Sequence, residues 1–229
     1  MSEPPASGVS RRFRAEAGRW DQIYTDAGGW FARTWDRLTR DNVRRRFTRT
    51  FEIAGDLRSR TVLDLGCGSG RYLIEAAARG AARVVGVDFA PEMITTARGL
   101  ADANPNGNRI ELACSDIEAL TLDERFDLVI ANGMFDYLSN PVSAMRRAAA
   151  WSADLLVATF PDRRAPRALP RRFYWSMRGI RIRLFEPREI GQLAREAGFA
   201  AITVERIGPI FLLAARRQID RLRGAPVPT

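Results

Sequence analysis

The segment Thr61-Val-Leu-Asp-Leu-Gly-Cys-Gly-Ser-Gly70 constrains this chain more than any other. Val62, Leu63 and Leu65 read as a short buried strand, and Gly66, Gly68 and Gly70 follow at every second position. Beyond them, Arg71 to Ala78 has helical composition. A strand that breaks into glycines before a helix lets a ligand approach bare backbone close to a helix N-terminus. Downstream, Arg83-Val-Val-Gly-Val-Asp88 is a second strand that ends in a carboxylate. In open α/β sheets, ligands bind beyond the carboxyl ends of such strands.

Strand and helix patterns then alternate. Strand 61–65 precedes a helix that stops near Gly80, a C-terminal glycine signal. Strand 83–88 precedes a helix opened by Pro91, with Glu92 in its first turn. Strand 109–114 follows an Asn-Pro-Asn-Gly turn. Phe126–Ala131 is a further buried strand, and a helix over 141–151 leads to a strand over Asp154–Phe160. This alternation predicts a parallel sheet with helices on both faces. The end of the chain differs. A helix opened by Pro187 buries Ile190, Leu193, Ala194 and Ala197 and stops at Gly198. Strands over 201–206 and 210–215 are joined by little more than Gly208-Pro209, so they form a hairpin; a parallel crossover needs about a dozen residues.

Upstream, residues 1–12 carry the Pro, Ser and Gly of a flexible start. Trp20, Ile23 and Tyr24 have helical spacing, Gly28-Gly29 breaks it, and Phe31, Trp35, Leu38, Val43, Phe47, Phe51 and Ala54 resume it. Two cap helices are expected there. The aromatic stripe is read first as core packing. The double glycine reads as a lid hinge or a turn.

Spacing separates the two cofactor classes that use this layout. A dinucleotide site takes Gly-x-Gly-x-x-Gly, and Arg71 stands where its third glycine belongs. The pattern present is Asp-x-Gly-x-Gly-x-Gly, beginning at Asp64. It resembles the glycine-rich motif of class I S-adenosylmethionine-dependent methyltransferases, and the resemblance runs over roughly residues 58–216. It implies an α/β, Rossmann-like, doubly wound and mostly parallel seven-stranded sheet with a C-terminal antiparallel hairpin. The expected organisation is a tail and cap helices over 1–57, a cofactor-binding methyltransferase domain over 58–217 and a tail over 218–229.

What the resemblance implies for the site can be followed along the chain. Gly66, Gly68 and Gly70, with Cys67 among them, would lie against the methionine and ribose parts of S-adenosylmethionine. Asp64 would help orient the ammonium, and Asp88 would accept both ribose hydroxyls, as a carboxylate at a strand end can. Phe89 and Met93 would pack on the adenine. In Ser115-Asp116-Ile117, Asp116 would accept the adenine amino group and Ile117 would flank the ring. The backbone of Asn132-Gly133-Met134 would run along the methionine moiety. The product would be S-adenosylhomocysteine (SAH).

The acceptor side rests on composition as well as position. The sequence holds no histidine, which excludes the commonest general base. Proton removal then falls to Asp, Glu, Tyr, Cys or the acceptor itself. Asp136 and Tyr137, just past the fourth strand, are the catalytic candidates. All 36 basic residues are arginine and the formal charge is +9, a surplus that coding bias alone can produce. A basic and aromatic insertion over 161–185 occupies the place where relatives often bind acceptors. Arg163, Arg164, Arg167, Arg171 and Arg172 beside Tyr174 and Trp175 suit an anionic small acceptor, because guanidinium forks match phosphate and carboxylate. Tyr24 and Trp20 of the cap are further candidates for contact.

Other classes are weighed on the same residues. Cys67 and Cys114 have neither zinc nor disulfide spacing and read as free buried thiols, and no metal is expected. No apolar run approaches the ~18 residues of a membrane span, and the N-terminus lacks a signal-peptide layout; a cytoplasmic location is expected. The charge suggests an RNA methyltransferase as an alternative. Against it, no appended RNA-binding module is seen, and Asn132-Gly-Met-Phe135 lacks the Asp/Asn-Pro-Pro-Tyr/Phe signature of many base methylators. A non-catalytic cofactor-binding protein is a further alternative. So is peripheral contact with anionic membranes through Arg216, Arg217, Arg221 and Arg223. The sequence leaves the acceptor's identity and the oligomeric state open.

Overall fold

The structure, a computed structural model, describes residues 30–166, 168, 172, 176, 177 and 182–218, with side chains from residue 41 onward. The chain enters through a 25-residue helix, α1 (Trp30–Ala54). There follow β1 (Thr61–Leu65), α2 (Arg71–Ala78), β2 (Arg83–Asp88), α3 (Pro91–Asp102), β3 (Ile110–Cys114), β4 (Phe126–Ala131), α4 (Pro141–Trp151), β5 (Ser152–Pro161), α5 (Pro187–Glu196), β6 (Ala201–Ile207) and β7 (Ile210–Arg216). α1 is the second of the two expected cap helices; the first, with Trp20 and Tyr24, lies outside the described residues.

The seven strands form one sheet in the order β3-β2-β1-β4-β5-β7-β6. β1 to β5 are parallel, and β7 runs antiparallel to both β5 and β6. The expected terminal hairpin is present, with Ile207 paired to Ile210 across Gly208-Pro209. Strand order reverses direction at β1, which has β2 on one side and β4 on the other. That switch point is where an open α/β sheet opens a crevice for a ligand.

Inner strands are buried on both faces, which is why they read as unbroken apolar runs. Alternation still decides which side chain goes where. Val62, Val84, Leu128, Ile130 and Val157 pack with Phe51 of α1 and Leu73 and Ala76 of α2. Leu63, Val85, Val129 and Leu156 pack on the opposite face, against Met145 of α4 and Ile190 of α5. Continuing that period past the apolar residues sends Asp64, Asp88 and Asn132 to the α1–α2 side, at the carboxyl end of the sheet. Three buried residues of the switch-point strands and loops thus share one face and one end.

Local signals in the sequence set the helix starts. α3, α4 and α5 each open on proline, whose missing N–H costs nothing in a first turn. Asn140 caps α4, its side-chain oxygen accepting the amide of Ser143 at 3.1 Å. The third strand begins one residue later than its apolar pattern predicts, because Arg109 closes a 3-10 turn onto Asn106.

Candidate functional site

The loop after β1 is built around glycine. Gly66, Gly68 and Gly70 have φ of +72°, +53° and +86°, a region that L side chains rarely adopt. The amides of Gly66 and Cys67 both donate to the carbonyl of Val87, at 2.8 and 3.0 Å, which holds the loop over the end of β2. Asp88, the last residue of β2, returns the contact. One of its oxygens accepts the Gly68 amide at 2.9 Å, and the other accepts the Ala90 amide at 2.9 Å. Burial pushes the Asp88 carboxyl up, while the amides of Ala90, Gly68 and Phe89 pull it back. Each oxygen keeps further lone-pair capacity, since a carboxylate offers about four acceptor sites.

Asp64 lies next to this loop on the same face. It is 1% exposed, and its Oδ2 has no hydrogen-bond partner among the described residues. Burial, first, and the charge of Asp88, second, push its carboxyl up to about 8; the Arg46 guanidinium works in the opposite sense. A buried carboxylate oxygen with no donor is costly unless a ligand supplies one. Cys67, between the first two glycines, is buried and turned inward, its Sγ 3.1 Å from where a Cβ on Gly86 would stand. Burial pushes its thiol up, so it stays protonated and acts as packing. Cys114, read as buried, is instead exposed: it ends β3 at the sheet edge, where no further strand covers it.

The loop after β4 closes the other side. Met134 packs over Gly66, its Cβ 3.5 Å from where a Cβ on that glycine would stand. Gly133 has φ +80°, and its amide donates to Thr159 of β5 at 2.9 Å. Asn132 is 9% exposed; its Nδ2 donates to Thr50 of α1 at 3.1 Å, and its Oδ1 is buried with no hydrogen-bond partner among the described residues. Asp136 and Tyr137 follow in a single 3-10 turn. Asp136 is 3% exposed, and Tyr137 packs against Ala165, Ala168, Ile182 and Leu184.

On the β2–β3 side, the amide of Ser115 donates to the Asp88 carbonyl at 3.0 Å. This places the Ser115-Asp116 turn beside Asp88. Asp116 is half-buried and accepts the Glu118 amide at 3.0 Å. Phe89 and Met93 are half-buried along the same rim, whereas Ile117 is buried in the core below it.

Three residues that the sequence did not single out belong to this site. Arg46 of α1 reaches Gly133: its Nη1 is 3.2 Å from where a Cβ on that glycine would stand. Thr50, one turn on, ties α1 to Asn132. Thr159 holds the Gly133 turn. Arg46 and Thr50 each precede an aromatic of the stripe, Phe47 and Phe51, and their polarity on that flank was the one available signal.

The 161–185 insertion is anchored at its root. Asp162 bridges to Phe185, and the Phe185 amide donates to the Pro161 carbonyl at 2.9 Å. Arg163 and Arg164 lie near Glu186 at 3.7 Å, and Arg163 also lies near Glu189 at 3.5 Å. Arg172 is exposed. Tyr24, Arg167, Arg171, Tyr174 and Trp175 lie outside the described residues. Among the described residues no cluster of His, Cys, Asp and Glu could hold a metal ion, and no helix is long and apolar enough to cross a membrane.

Comparison with known proteins agrees with this geometry. Residues 62–154 match a family described as a methyltransferase domain. A ubiquinone biosynthesis O-methyltransferase of Neisseria meningitidis is 40% identical over 96 residues, which are 41% of this chain and 40% of that protein. A ribosomal protein L11 methyltransferase of Edwardsiella ictaluri is 40% identical over 77 residues, 34% of this chain and 26% of that protein. The chain thus spans well under half the length of these curated relatives. Among solved structures, a magnesium protoporphyrin IX methyltransferase from Synechocystis with bound SAH shares the fold. Its TM-score is 0.74 at 22% identity, over 92% of this chain and 98% of that one. Residues 62–154 thus match a methyltransferase-domain family, and the seven-stranded sheet that carries them has the fold of that solved methyltransferase.

Proposed function

We propose that this chain transfers the methyl group of S-adenosylmethionine to a small acceptor that carries an anionic group. The observation that supports this most directly is Asp88. Its two oxygens are fixed by the Gly68 and Ala90 amides, at 2.9 Å each, and still have room for two more donors. Neighbouring ribose hydroxyls are such a pair of donors. Gly68, where an added Cβ would meet nothing within 4 Å, offers bare backbone for a nucleoside beside Asp88.

The rest of the site fits the same group. Asp64 Oδ2 and Asn132 Oδ1 are buried acceptors without donors among the described residues, which suits an ammonium. Asp116 can accept an adenine amino group, with Phe89 and Met93 as its apolar flanks. When bound, S-adenosylmethionine supplies a methyl group on an activated sulfonium. What remains for the protein is alignment of the acceptor, exclusion of water and removal of any proton. Asp136, buried in the turn past β4, orients an acceptor hydroxyl or takes its proton, and the Tyr137 ring packs beside it.

The anionic acceptor is read from the insertion. Arg172 is exposed, where a guanidinium fork suits an anion arriving from solvent. Arg163 and Arg164 face Glu186 across exposed pairs, which hold by under about 1 kcal/mol. An acceptor anion can compete for them.

Calorimetry with S-adenosylmethionine and SAH, followed by incubation with metabolite pools and mass detection of a methylene gain, tests the reading. Binding and a mass-shifted small product are expected. Absence of heat with both ligands on folded protein would reject it. Arg172→Gln is expected to raise the acceptor's KM and leave SAH affinity unchanged; an unchanged KM would reject the anionic acceptor alone.

A further inference from the structure

Asp162 is a buried carboxylate that the proposed chemistry does not use. It is 2% exposed and stands directly after β5, where the chain leaves the sheet for the insertion. Its Oδ2 meets Nη2 of Arg206, on the edge strand β6, at 2.6 Å, and its Oδ1 accepts the Arg164 amide at 2.7 Å. Its own amide donates to the Pro209 carbonyl in the β6–β7 turn at 3.0 Å. A buried carboxylate is tolerated where it is paired and hydrogen-bonded. Here one oxygen is held by an amide and the other by a charge. Asparagine could serve one of these two donors and not both.

From Asp162 the contacts run to the turn after β4. Asp162 forms a parallel bridge with Phe185, and the Arg163 amide donates to the Phe185 carbonyl at 3.0 Å. Two residues before Phe185, the Arg183 amide donates to the Asp136 carbonyl at 2.9 Å. Aromatic rings follow the same line. Phe185 packs on Phe160 of β5 at a ring separation of 5.0 Å, and Phe160 packs on Phe135, the neighbour of Asp136, at 4.6 Å. All three rings are fully buried. The returning end of the insertion is thus wedged between the end of β5 and the Asp136 turn. Arg206, by contrast, is exposed, and β7 and β5 stand between its strand and β4.

Resting on the methyltransferase reading above, we propose that Asp162 and Arg206 are positioning residues for the transfer: their ion pair fixes the returning end of the insertion and, through the Arg183 amide, sets where Asp136 stands relative to an acceptor. Asp88 and the glycine loop are held by separate bonds, from the Gly68 and Ala90 amides and the Val87 carbonyl. Loss of the pair therefore slows turnover and spares cofactor binding. A small displacement of a reacting group can cost about a hundredfold in rate.

Two measurements on Arg206→Gln decide it. Amide hydrogen exchange reads the link without any acceptor. Exchange at Asp162 and Arg183 is expected to rise at least about tenfold, while exchange at Gly66 and Gly68 stays within about twofold. Arg206→Lys keeps the charge and should restore protection. An equal rise at all four amides, or no rise at Arg183, overturns the proposal. The rate of SAH formation with the metabolite pools reads the consequence. Arg206→Gln is expected to slow it about ten- to a hundredfold at unchanged SAH affinity. In an Asp136→Asn background the same change should cost less than about twofold, since a residue that acts through Asp136 then has nothing left to position. Similar slowing in both backgrounds, unaltered turnover in Arg206→Gln, or an Asp136→Asn variant as active as wild type overturns the positioning role. Should Arg206→Gln not fold, Asp162→Asn, which keeps an acceptor for the Arg164 amide, carries the same test. Wild type that binds no SAH, or forms none with any pool, rejects the methyltransferase reading itself, a result read on the unmutated protein and so distinct from every outcome above.

Discussion

Asp88 accepts the Gly68 amide at 2.9 Å, so the acid that ends β2 also sets the shape of the loop that follows β1. The two motifs are 20 residues apart in sequence and act as one unit. Removing the carboxylate therefore has two effects. Asp88→Ala leaves the Gly68 and Ala90 amides without their acceptor, which destabilises the fold by about 1–3 kcal/mol. It also removes the proposed acceptor of two ribose hydroxyls. Bonds to a charged acceptor are worth about 1.5 kcal/mol or more each, so SAH affinity is expected to fall by roughly a hundredfold or more. Thermal melts and calorimetry read the two effects separately. A variant that loses stability and keeps its SAH affinity would show that Asp88 serves the loop alone.

Gly70 is restricted for a different reason. Its φ is +86°, and a Cβ there would stand 3.0 Å from Ala97 Cβ and 3.3 Å from Ala97 Cα of α3. Gly70→Ala combines left-handed strain with a contact that backbone must yield to, and about 1–3 kcal/mol of destabilisation is expected. Ala97→Gly relieves the contact and leaves the strain. The double variant should therefore be more stable than the sum of the single losses predicts, a coupling that a double-mutant cycle in denaturant measures. Strict additivity would mean that the strain at Gly70 accounts for the whole effect.

Much of this site could be read from the sequence because its signals are local. Asp64, the three glycines and Asp88 sit at strand ends, and a strand end is marked by its own neighbours. The hairpin was equally plain, since Gly208-Pro209 leaves no length for a crossover. Arg46 and Thr50 were not legible. They flank an aromatic stripe that does pack in the core, through Phe51 against Tyr72 at a ring separation of 5.8 Å. Which strand ends α1 lands on is decided by the whole sheet and not by the helix. Thr159 was hidden as a polar residue inside an apolar strand, its hydroxyl taken by the Gly133 amide. The arginines of the insertion illustrate the converse. Arg183 lies six residues before Glu189 and meets it at 2.6 Å, and Asp162 meets Arg206 at 2.6 Å. A charge count registers the surplus and not these pairings.

Asp64 gives the cofactor affinity a pH dependence of known sign. Its carboxyl is pushed from 3.8 up to about 8 by burial and by Asp88 of β2, against the pull of Arg46 of α1. The Cys67 thiol of the intervening loop is pushed up too and stays neutral. A raised carboxyl contributes stability that is complete below about pH 4 and lost as pH rises through about 8. The free protein is therefore expected to lose stability across that window. An ammonium ligand favours the ionised carboxylate, so binding releases a proton below about pH 8, and affinity rises with pH up to that point, by at most about tenfold per unit. Calorimetry at neutral pH in two buffers of different ionisation enthalpy should give different heats. Asp64→Asn should abolish that difference and flatten the stability profile. Equal heats for wild type would mean that Asp64 is already ionised in the free protein.

Asp136 is where binding and turnover should separate. It is 3% exposed, and its carbonyl accepts the Arg183 amide at 2.9 Å, so the turn that carries it is fixed by the end of the insertion. It follows β4, on the side of the glycine loop proposed above for the acceptor. Asp136→Asn keeps the shape and removes the base. With no histidine in the sequence to substitute for it, kcat is expected to fall by roughly 10²–10⁴-fold, the range for a positioned proton acceptor. SAH affinity should stay within about twofold, because Asp88 and the glycine loop, the proposed nucleoside contacts, are untouched. Tyr137→Phe keeps the ring against Ala165 and Leu184 and removes only the hydroxyl, so a fall in kcat would assign that second candidate to the reaction and retained turnover would leave it to packing. If Asp136→Asn turns over as wild type does, the acceptor presents an already ionised nucleophile and the protein contributes alignment without proton transfer. The pH profile of kcat then follows the acceptor's own pKa and changes with the acceptor used, whereas a base in the protein gives one profile for all acceptors.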